Sequence, residues 1–274
     1  ILEAAMVKPK ALIVTGYGIN CDEETKFAFA LAGADSKIIH INDIIENRSI
    51  LKNYHIFAFP GGFSYGDDTG SGKALANKIK NNLMDEMLSF IQRDTLMIGI
   101  CNGFQVMVNL GIVPALTNSI GSVEVALEHN ASFRFQCRWI DLTINSNSNC
   151  IFTQGITRLH IPVAHGEGNF IAPHNIVDKL VQNNQIIMRY SQPDGTPANG
   201  EFPFNPNGSM LDVAALCDTT GRIMGMMPHP ERHIYFMQRD DWTYLREIAI
   251  REKTDIPEYG EGLQIFKNAV KYFQ

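Results

Sequence analysis

Short apolar runs alternate with longer amphipathic stretches through the first half of the chain. The runs are four to six residues long and rich in Ile, Leu, Val and Phe, which is typical of strands buried on both faces of a sheet. They predict strands at 11–14, 37–41, 55–59 and 95–100, and the amphipathic stretches predict helices at about 22–32, 73–92 and 104–110. This alternation predicts βαβ units, and therefore a mostly parallel sheet with helices on both faces.

From about Ser132 the pattern changes to short strands separated by turns. The predicted strands are 135–144, 159–163, 186–190, 210–216 and 222–226, followed by helices beginning near Pro230 and over 263–272. Turn-forming sequences such as Pro193-Asp194-Gly195 lie between them. No Gly/Ser-rich or charge-dense linker separates the two halves. We therefore expect residues 10–274 to form one α/β domain with a smaller antiparallel β portion in its second half.

Residues 1–9 lie outside this pattern. They have neither the basic start nor the apolar segment of a secretory signal. We expect this N-terminus to be disordered or cloning-derived, with Met6 as the natural start; a fragment of a longer chain is the alternative.

The composition restricts the class of protein. Among 274 residues, Lys and Arg total 23 and Asp and Glu total 29, which gives a net charge of −6. This balance argues against a nucleic-acid binder that works through a broad cationic surface. Hydrophobic residues make up 45% and charged residues 19%, as in a packed globular protein. No apolar run approaches the roughly 20 residues that a membrane-spanning helix needs, so we expect no membrane association.

The five cysteines indicate a reducing compartment. They lie at positions 21, 101, 137, 150 and 217, form no Cys-x-x-Cys pair, and have no zinc-site spacing with histidine. Reduced thiols in the cytoplasm, and no metal site, are the expectation.

Cys101 lies between a predicted strand and a predicted helix, in the sequence Gly99-Ile100-Cys101-Asn102-Gly103. Glycines two residues before and after a cysteine match the spacing of a nucleophile elbow, with Cys where hydrolases often have Ser. A thiol at a helix N-terminus meets the positive end of the helix dipole, which stabilises the thiolate. The backbone N–H of Asn102 then points to where an oxyanion forms. A small buried core cysteine is the alternative interpretation.

His229 and Glu231 follow the last predicted strand, within the sequence Met227-Pro228-His229-Pro230-Glu231-Arg232. A nucleophilic thiol needs a base, and histidine titrates near neutrality. Residues two apart in extended backbone project to the same side, so Glu231 can orient His229. The alternative is a strand-end turn with a solvated Glu. His233 is four residues after His229, but without a third ligand a metal site is not expected.

Two glycine-containing segments follow other predicted strands. Gly61 and Gly62 let the backbone approach a ligand and present unhindered N–H groups. Asp67 and Ala74 occupy positions where a phosphate-binding loop needs Gly and Ser or Thr. A phosphate-binding loop is therefore excluded, and the Gly61-Gly62 segment is either an ordinary turn or an oxyanion-forming loop. The segment 162–170 includes a histidine and a glycine after an apolar strand, which by itself is more typical of a turn.

Together these segments resemble the class I (triad) glutamine amidotransferases. The resemblance rests on PGG at 60–62, GICNGFQ at 99–105 and MPHPER at 227–232. The variants GINCD at 18–22, GGFSYGD at 61–67 and HGEG at 165–168 are similar to the glutaminase subunits of phosphoribosylformylglycinamidine synthases, which act in purine biosynthesis. The match runs from about Lys10 to the C-terminus. It implies a flavodoxin-like, mostly parallel sheet with helices on both faces.

The resemblance also implies residue roles. Cys101 would be the nucleophile, His229 the general base and acid, and Glu231 its orienting partner. The carboxylate follows the histidine, an order that fits the amidotransferases and not the α/β-hydrolases. The implied oxyanion and substrate-binding residues are Gly61, Gly62, Asn102, Gln105, His165 and Gly166. Cys21 matches the family pattern without an evident chemical role, so we expect a buried structural thiol.

The implied activity requires partners. The family hydrolyses L-glutamine and passes ammonia to an ATP-dependent synthetase subunit, with a small accessory subunit. ATP and Mg²⁺ are expected on the synthetase, and no cofactor in this chain. The segment 235–262 either docks the synthetase or covers this chain's own core; its aromatic residues include Phe236, Trp242, Tyr244 and Tyr259. Another triad glutaminase, a cysteine hydrolase of the same fold and a non-catalytic assembly subunit are the alternatives.

Overall fold

A computed structural model describes residues 8–116 and 120–274. The expectation for the N-terminus falls mostly on residues 1–7, which lie outside the described part of the chain. Within that part, no helix combines the length and apolar character needed to cross a membrane.

The first half is a βα-alternating unit, as the hydrophobic pattern predicts. Its elements are β1 (Lys10–Thr15), α1 (Asp22–Leu31), β2 (Asp35–His40), α2 (Ile41–Glu46), β3 (Ile56–Phe59), α3 (Lys73–Asn82), α4 (Met84–Gln92), β4 (Leu96–Ile100) and α5 (Asn102–Leu110). Every residue of β3 and β4 is buried, which explains their continuous apolar sequence. Three acidic residues lie in the first turn of α1, where the positive end of the helix dipole stabilises their negative charge.

The second half is dominated by strands. Its elements are β5 (Ala126–His129), β6 (Gln136–Ile144), β7 (Arg158–His165), β8 (Glu167–Ile171), α6 (His174–Gln182), β9 (Ile186–Ser191), β10 (Val213–Cys217), β11 (Ile223–Met226), α7 (Trp242–Glu252) and α8 (Leu263–Lys271). Strands β5 and β8 form a small antiparallel sheet of their own.

One nine-stranded sheet joins the two halves, in the order β2-β1-β3-β4-β11-β10-β9-β6-β7. The first five strands of this order are parallel. The remaining pairings, from β11 to β7, are antiparallel. The predicted fold class, an α/β fold with a parallel sheet and a smaller antiparallel β portion, is confirmed.

Three predicted elements differ from the structure. The helix predicted at 73–92 is interrupted at Leu83, whose backbone leaves the helical region at φ −136° and ψ 6°. The strand predicted at 210–216 begins only at Val213, because Leu211 and Asp212 have positive φ and cannot extend a strand. The helix predicted near Pro230 is a 3₁₀ turn over Pro230–Arg232.

The strand order places the ends of β4 and β11 side by side. These neighbours are parallel, with Ile100 paired to Met226 at the last residue of each. Cys101 follows one strand and the segment to His229 follows the other, so both reach the same edge of the sheet. Gly103 allows the turn after β4 to pack closely, because a Cβ there would overlap the carbonyl oxygen of Phe59.

Candidate active site

Cys101 occupies a strained turn at the start of α5. Its φ of 52° and ψ of −109° are rare for a residue with a side chain. Its backbone N–H donates to the carbonyl of Met226 at 2.7 Å, which attaches the turn to the end of β11. The thiol is almost completely buried, and its sulfur lies 3.7 Å from the carbonyl oxygen of Ala164. The elbow therefore fixes the thiol at the N-terminus of α5.

His229 and Glu231 form a buried pair in the segment after β11. The imidazole Nδ1 lies 2.5 Å from Glu231 Oε1, and both side chains are at most 1% exposed. The backbone N–H of His229 donates to the carbonyl of Pro162 at 2.8 Å, which fixes this segment against β7. His229 Nε2 has no hydrogen-bond partner among the described residues.

Charge governs the protonation of His229. Burial opposes the imidazolium, but the Glu231 carboxylate and the Cys101 sulfur outweigh it and raise the pKa of His229 well above its ordinary value. A histidine with this charge environment can hold a proton for a leaving group while facing a thiolate.

The loop after β3 presents a backbone N–H toward the same edge of the sheet. Ile19 and Gly62 form an antiparallel bridge in which the N–H groups of Asn20 and Phe63 donate, to Gly61 and Gly18 respectively. The N–H of Gly62 therefore makes no hydrogen bond in this bridge. Asn102 is the first residue of α5, where an N–H has no partner within the helix.

The side chain of Asn102 joins the start of α5 to the loop after β3. Its Oδ1 accepts from Ser64 N at 3.2 Å, and its Nδ2 donates to Asp67 Oδ1 and Gln105 Oε1, each at 3.1 Å. Gln105 in turn donates to the carbonyl oxygen of Glu167 at 2.5 Å. This hydrogen bond from Gln105 fixes the start of β8 against α5.

His165 ends β7 as a neutral, buried histidine. Its Nδ1 lies 3.1 Å from Asn130 Oδ1, while the Asn130 amide nitrogen donates to the carbonyls of Arg134 and His165. These donations orient the amide so that Nδ1 carries the proton. Burial lowers the pKa of His165 to about 3, and the charge of His229 acts in the same direction. Its Nε2 is thus an acceptor, with no partner among the described residues.

A cavity of about 360 Å³ lies beside this network. Its lining includes Phe63, which follows the bridge to Gly62, together with Asp67, Arg134, Gly166 and Glu167. Burial raises the pKa of Asp67, and hydrogen bonds from Gly72, Ser71 and Asn102 oppose the shift. The cavity offers both carboxylates and a guanidinium, a suitable environment for the charged end of an amino acid.

The remaining predicted position, Cys21, lies within this site. Atoms of Cys21, His229 and Glu231 all lie within 4.8 Å of one another. Glu231 and His229 are hydrogen-bonded to each other, and the Cys21 sulfur accepts a hydrogen bond from Arg232 at 3.0 Å. Among these atoms, His229 Nδ1, Glu231 Oε1 and the Cys21 sulfur have hydrogen-bond partners within the described residues, whereas His229 Nε2 and Glu231 Oε2 have none.

Two residues of the site were not assigned a role from the sequence. Asn130 orients His165 from 35 positions away, and Asp67 reaches Asn102 from 35 positions away. Asp67 stands in a segment that the sequence singled out for its glycines, whereas nothing near Asn130 distinguishes it from an ordinary surface asparagine.

Comparison with known proteins gives the family. Residues 8–273 match the CobB/CobQ-like glutamine amidotransferase domain. The phosphoribosylformylglycinamidine synthase subunit PurQ of Methanococcus maripaludis is 52% identical over 268 residues, covering 97% of this chain and 98% of the relative. The subunit of the same name from Dehalococcoides mccartyi is 42% identical over 267 residues, with the same two coverages.

A solved structure has the same architecture. The structure of PurLQS from Thermotoga maritima includes a chain that superposes with a TM-score of 0.71 at 25% identity, covering 98% of this chain and 100% of that one. On the extent of these matches, the chain belongs to the CobB/CobQ-like glutamine amidotransferase family and, within it, to the PurQ subunits of phosphoribosylformylglycinamidine synthase.

Proposed function

We propose that this chain is the glutaminase component of a phosphoribosylformylglycinamidine synthase, supplying ammonia from L-glutamine for purine biosynthesis. The observation that carries the proposal is the buried Cys101 elbow, placed by adjacent parallel strands beside the His229–Glu231 pair. The PurQ relatives support the assignment of the synthase, because they match this chain over nearly its whole length. The cavity supports an amino-acid substrate.

The first half of the reaction forms a thioester. The Cys101 thiolate attacks the side-chain carbonyl carbon of glutamine, and the carbonyl oxygen becomes an oxyanion. The N–H groups of Gly62 and Asn102 stabilise that charge, since neither is used in the bridge or the helix. Protonated His229 donates to the leaving nitrogen, which departs as ammonia and leaves a γ-glutamyl thioester on Cys101.

The second half regenerates the thiol. Neutral His229 takes a proton from water, which attacks the thioester carbonyl and releases glutamate. Glu231 stabilises the imidazolium in both halves and keeps Nδ1 protonated, so that Nε2 faces the reacting groups. The α-amino and α-carboxyl groups of the substrate occupy the cavity near Gly166. His165 and Gln105 hold the residues that line this cavity in position.

Active-site labelling tests this proposal. A glutamine-analogue electrophile, followed by intact-mass measurement and peptide mapping, should give a single adduct on Cys101 that excess glutamine prevents. The other four cysteines are internal controls, among them the exposed Cys137. Labelling of several cysteines that glutamine does not affect, both in the chain by itself and with the synthetase present, would contradict the proposal and favour a non-catalytic assembly role.

The ammonia acceptor belongs to partners in this proposal. Free ammonia is lost to bulk water unless the acceptor site is joined to its source. We therefore place ATP, Mg²⁺ and formylglycinamide ribonucleotide on the synthetase subunit, with a small accessory subunit in the complex. This chain would need no cofactor for the chemistry above.

The segment 235–262 is the surface we assign to the synthetase. Helix α7 buries a single residue, Ala249, so it covers little of this chain's core. Met237 and Tyr244 are each 66% exposed, and a cavity of about 430 Å³ lies between Tyr235 and Ile256. Of the aromatic residues that the sequence singled out, Phe236 is buried and faces inward, while Tyr244 is free to meet a partner.

Hydrogen exchange tests this docking surface. Amides of α7 should exchange more slowly when the cognate synthetase is bound, because an interface excludes water from the helix. Tyr244→Ala should weaken binding about tenfold, as expected for an exposed aromatic at an interface. Val181→Ala, at a 46% exposed position on α6, is the matched control and should not alter binding. Unchanged protection of α7 in the complex would assign the segment to another role.

A further inference from the structure

Cys21 is a fully buried thiol that the reaction above does not use. It lies in the turn between β1 and α1, and its backbone N–H and that of Asn20 both donate to the carbonyl of Gly61, at 3.2 and 3.3 Å. These bonds fix the turn against the loop that carries Gly62. A purely space-filling cysteine would be surrounded by apolar side chains, and this one is not.

The sulfur of Cys21 has two polar partners. It accepts a hydrogen bond from Arg232 Nη2 at 3.0 Å and donates to Asn20 Oδ1 at 3.2 Å. A Cβ on Gly61 would lie 2.7 Å from His229 Cε1 and 3.2 Å from the Cys21 sulfur. The absence of a side chain at Gly61 thus lets the thiol and the imidazole approach the same space.

Arg232 follows Glu231 directly in the chain, and two neighbouring groups stabilise its charge. One is the Cys21 sulfur, where the guanidinium is found. The other is Glu231 Oε2, which is buried and has no hydrogen-bond partner among the described residues. A guanidinium prefers a carboxylate to a thiol when both are within reach, since the charge-assisted bond is stronger. Arg232 donates to the sulfur, and Glu231 receives no hydrogen bond from it.

We propose that Cys21 is a positioning residue for the glutaminase reaction: its sulfur anchors the Arg232 guanidinium and leaves the Glu231 carboxylate to His229. This role rests on the proposed function for its effect on catalysis, but the geometry it describes does not depend on turnover. Without the sulfur, Arg232 turns to Glu231 Oε2. The guanidinium then offsets the carboxylate charge, and the imidazolium form of His229 loses stabilisation.

The charged and titratable groups around His229 come from four segments. They are Glu231 and Arg232 of its own turn, Cys101 before α5, Cys21 before α1 and His165 of β7. His165 is neutral near neutral pH, since burial lowers its pKa to about 3, so it does not vary over the range of interest. A change at Cys21 consequently acts on His229 in two ways, through its direct contact with the imidazole and through Arg232 and Glu231.

Titration of the His229 ring by NMR, in the full chain without substrate, tests the proposal. We expect Cys21→Ala to move the His229 midpoint about one pH unit lower, which is the size of effect that one displaced charge produces. The basic limb of the kcat/KM profile should move in the same direction, because less imidazolium is present to protonate ammonia. Cys21→Ser should retain most of the wild-type midpoint, because a hydroxyl also accepts from Arg232.

The Arg232→Ala background separates this role from simple packing. There, Cys21→Ala should shift the midpoint by less than half as much, since no guanidinium remains to reach Glu231 and only the direct contact of the sulfur with the imidazole is lost. An equal shift in both backgrounds, or no shift in either, would overturn the proposal. If labelling had excluded the glutaminase function, the NMR midpoints would still decide the positioning role, so the two failures are distinguishable.

Discussion

Cys101→Ala is expected to lower the kcat for glutamate release by about 10⁴-fold or more, the scale seen when a covalent nucleophile is removed. The methyl group cannot form the thioester, and nothing else at the elbow replaces it. The fold should persist, because Cys101 contributes a small side chain at a position where its backbone is fixed by the bond to Met226. Glutamate release by the complex with the synthetase gives the rate, and thermal unfolding checks the fold.

Cys137→Ala is the matched control for this variant. Cys137 is an exposed thiol on β6, outside the site. The Cys137→Ala variant should retain wild-type glutaminase activity. Substantial glutaminase activity in Cys101→Ala, with Cys137→Ala equally active, would exclude a thioester mechanism at this position.

Glu231→Gln should lower kcat by about 10²- to 10⁴-fold, the range expected when the acid of a triad loses its charge while its shape is kept. The carboxylate raises the pKa of His229 and keeps Nδ1 protonated. A neutral amide does neither well, so His229 titrates at lower pH and fewer molecules hold the proton that ammonia needs. The basic limb of kcat/KM should therefore move to lower pH, which a pH series of initial rates will measure.

Asp141→Asn makes the same chemical change at a histidine pair outside the site. Asp141 Oδ1 lies 3.1 Å from His160 Nδ1, on the part-exposed β6–β7 pair. This variant should leave kcat and its pH dependence unchanged. If Glu231→Gln behaved like Asp141→Asn, the orienting role of Glu231 would be wrong.

The residues proposed to be catalytic could be singled out from the sequence because their signals are local. The glycines around Cys101 reflect the tight packing of one turn, where a Cβ on Gly103 would overlap Phe59. His229 and Glu231 are two residues apart, and both follow a strand that the apolar pattern locates within one residue. The convergence of these segments depends on the parallel pairing of β11 with β4, which the pattern did not predict because it placed that strand among the short strands of the second half.

Other features depend on contacts that the sequence does not encode locally. Buried residues recur at Ile79, Leu83 and Met87, a spacing of four that continues across the break between α3 and α4, so the periodicity contains no sign of it. Arg232 meets Cys21 across 211 residues of chain. The order of strands β1, β3, β4 and β11 makes that meeting possible, and the hydrophobic pattern does not specify the place of β11 in it.

The side-by-side pairing of β4 and β11 also determines how the protein tolerates changes in length. Side chains of a strand alternate between its two faces, so a register shift of one residue reverses them all. Deleting one residue of β11 would turn His229 away from Cys101 in a chain whose core strands still pair. Insertions between α6 and β9, or within the mostly exposed stretch 192–203, leave the pairing of Ile100 with Met226 untouched. Length variation among relatives should therefore accumulate in those loops and not next to Ile100 and Met226, the paired ends of β4 and β11.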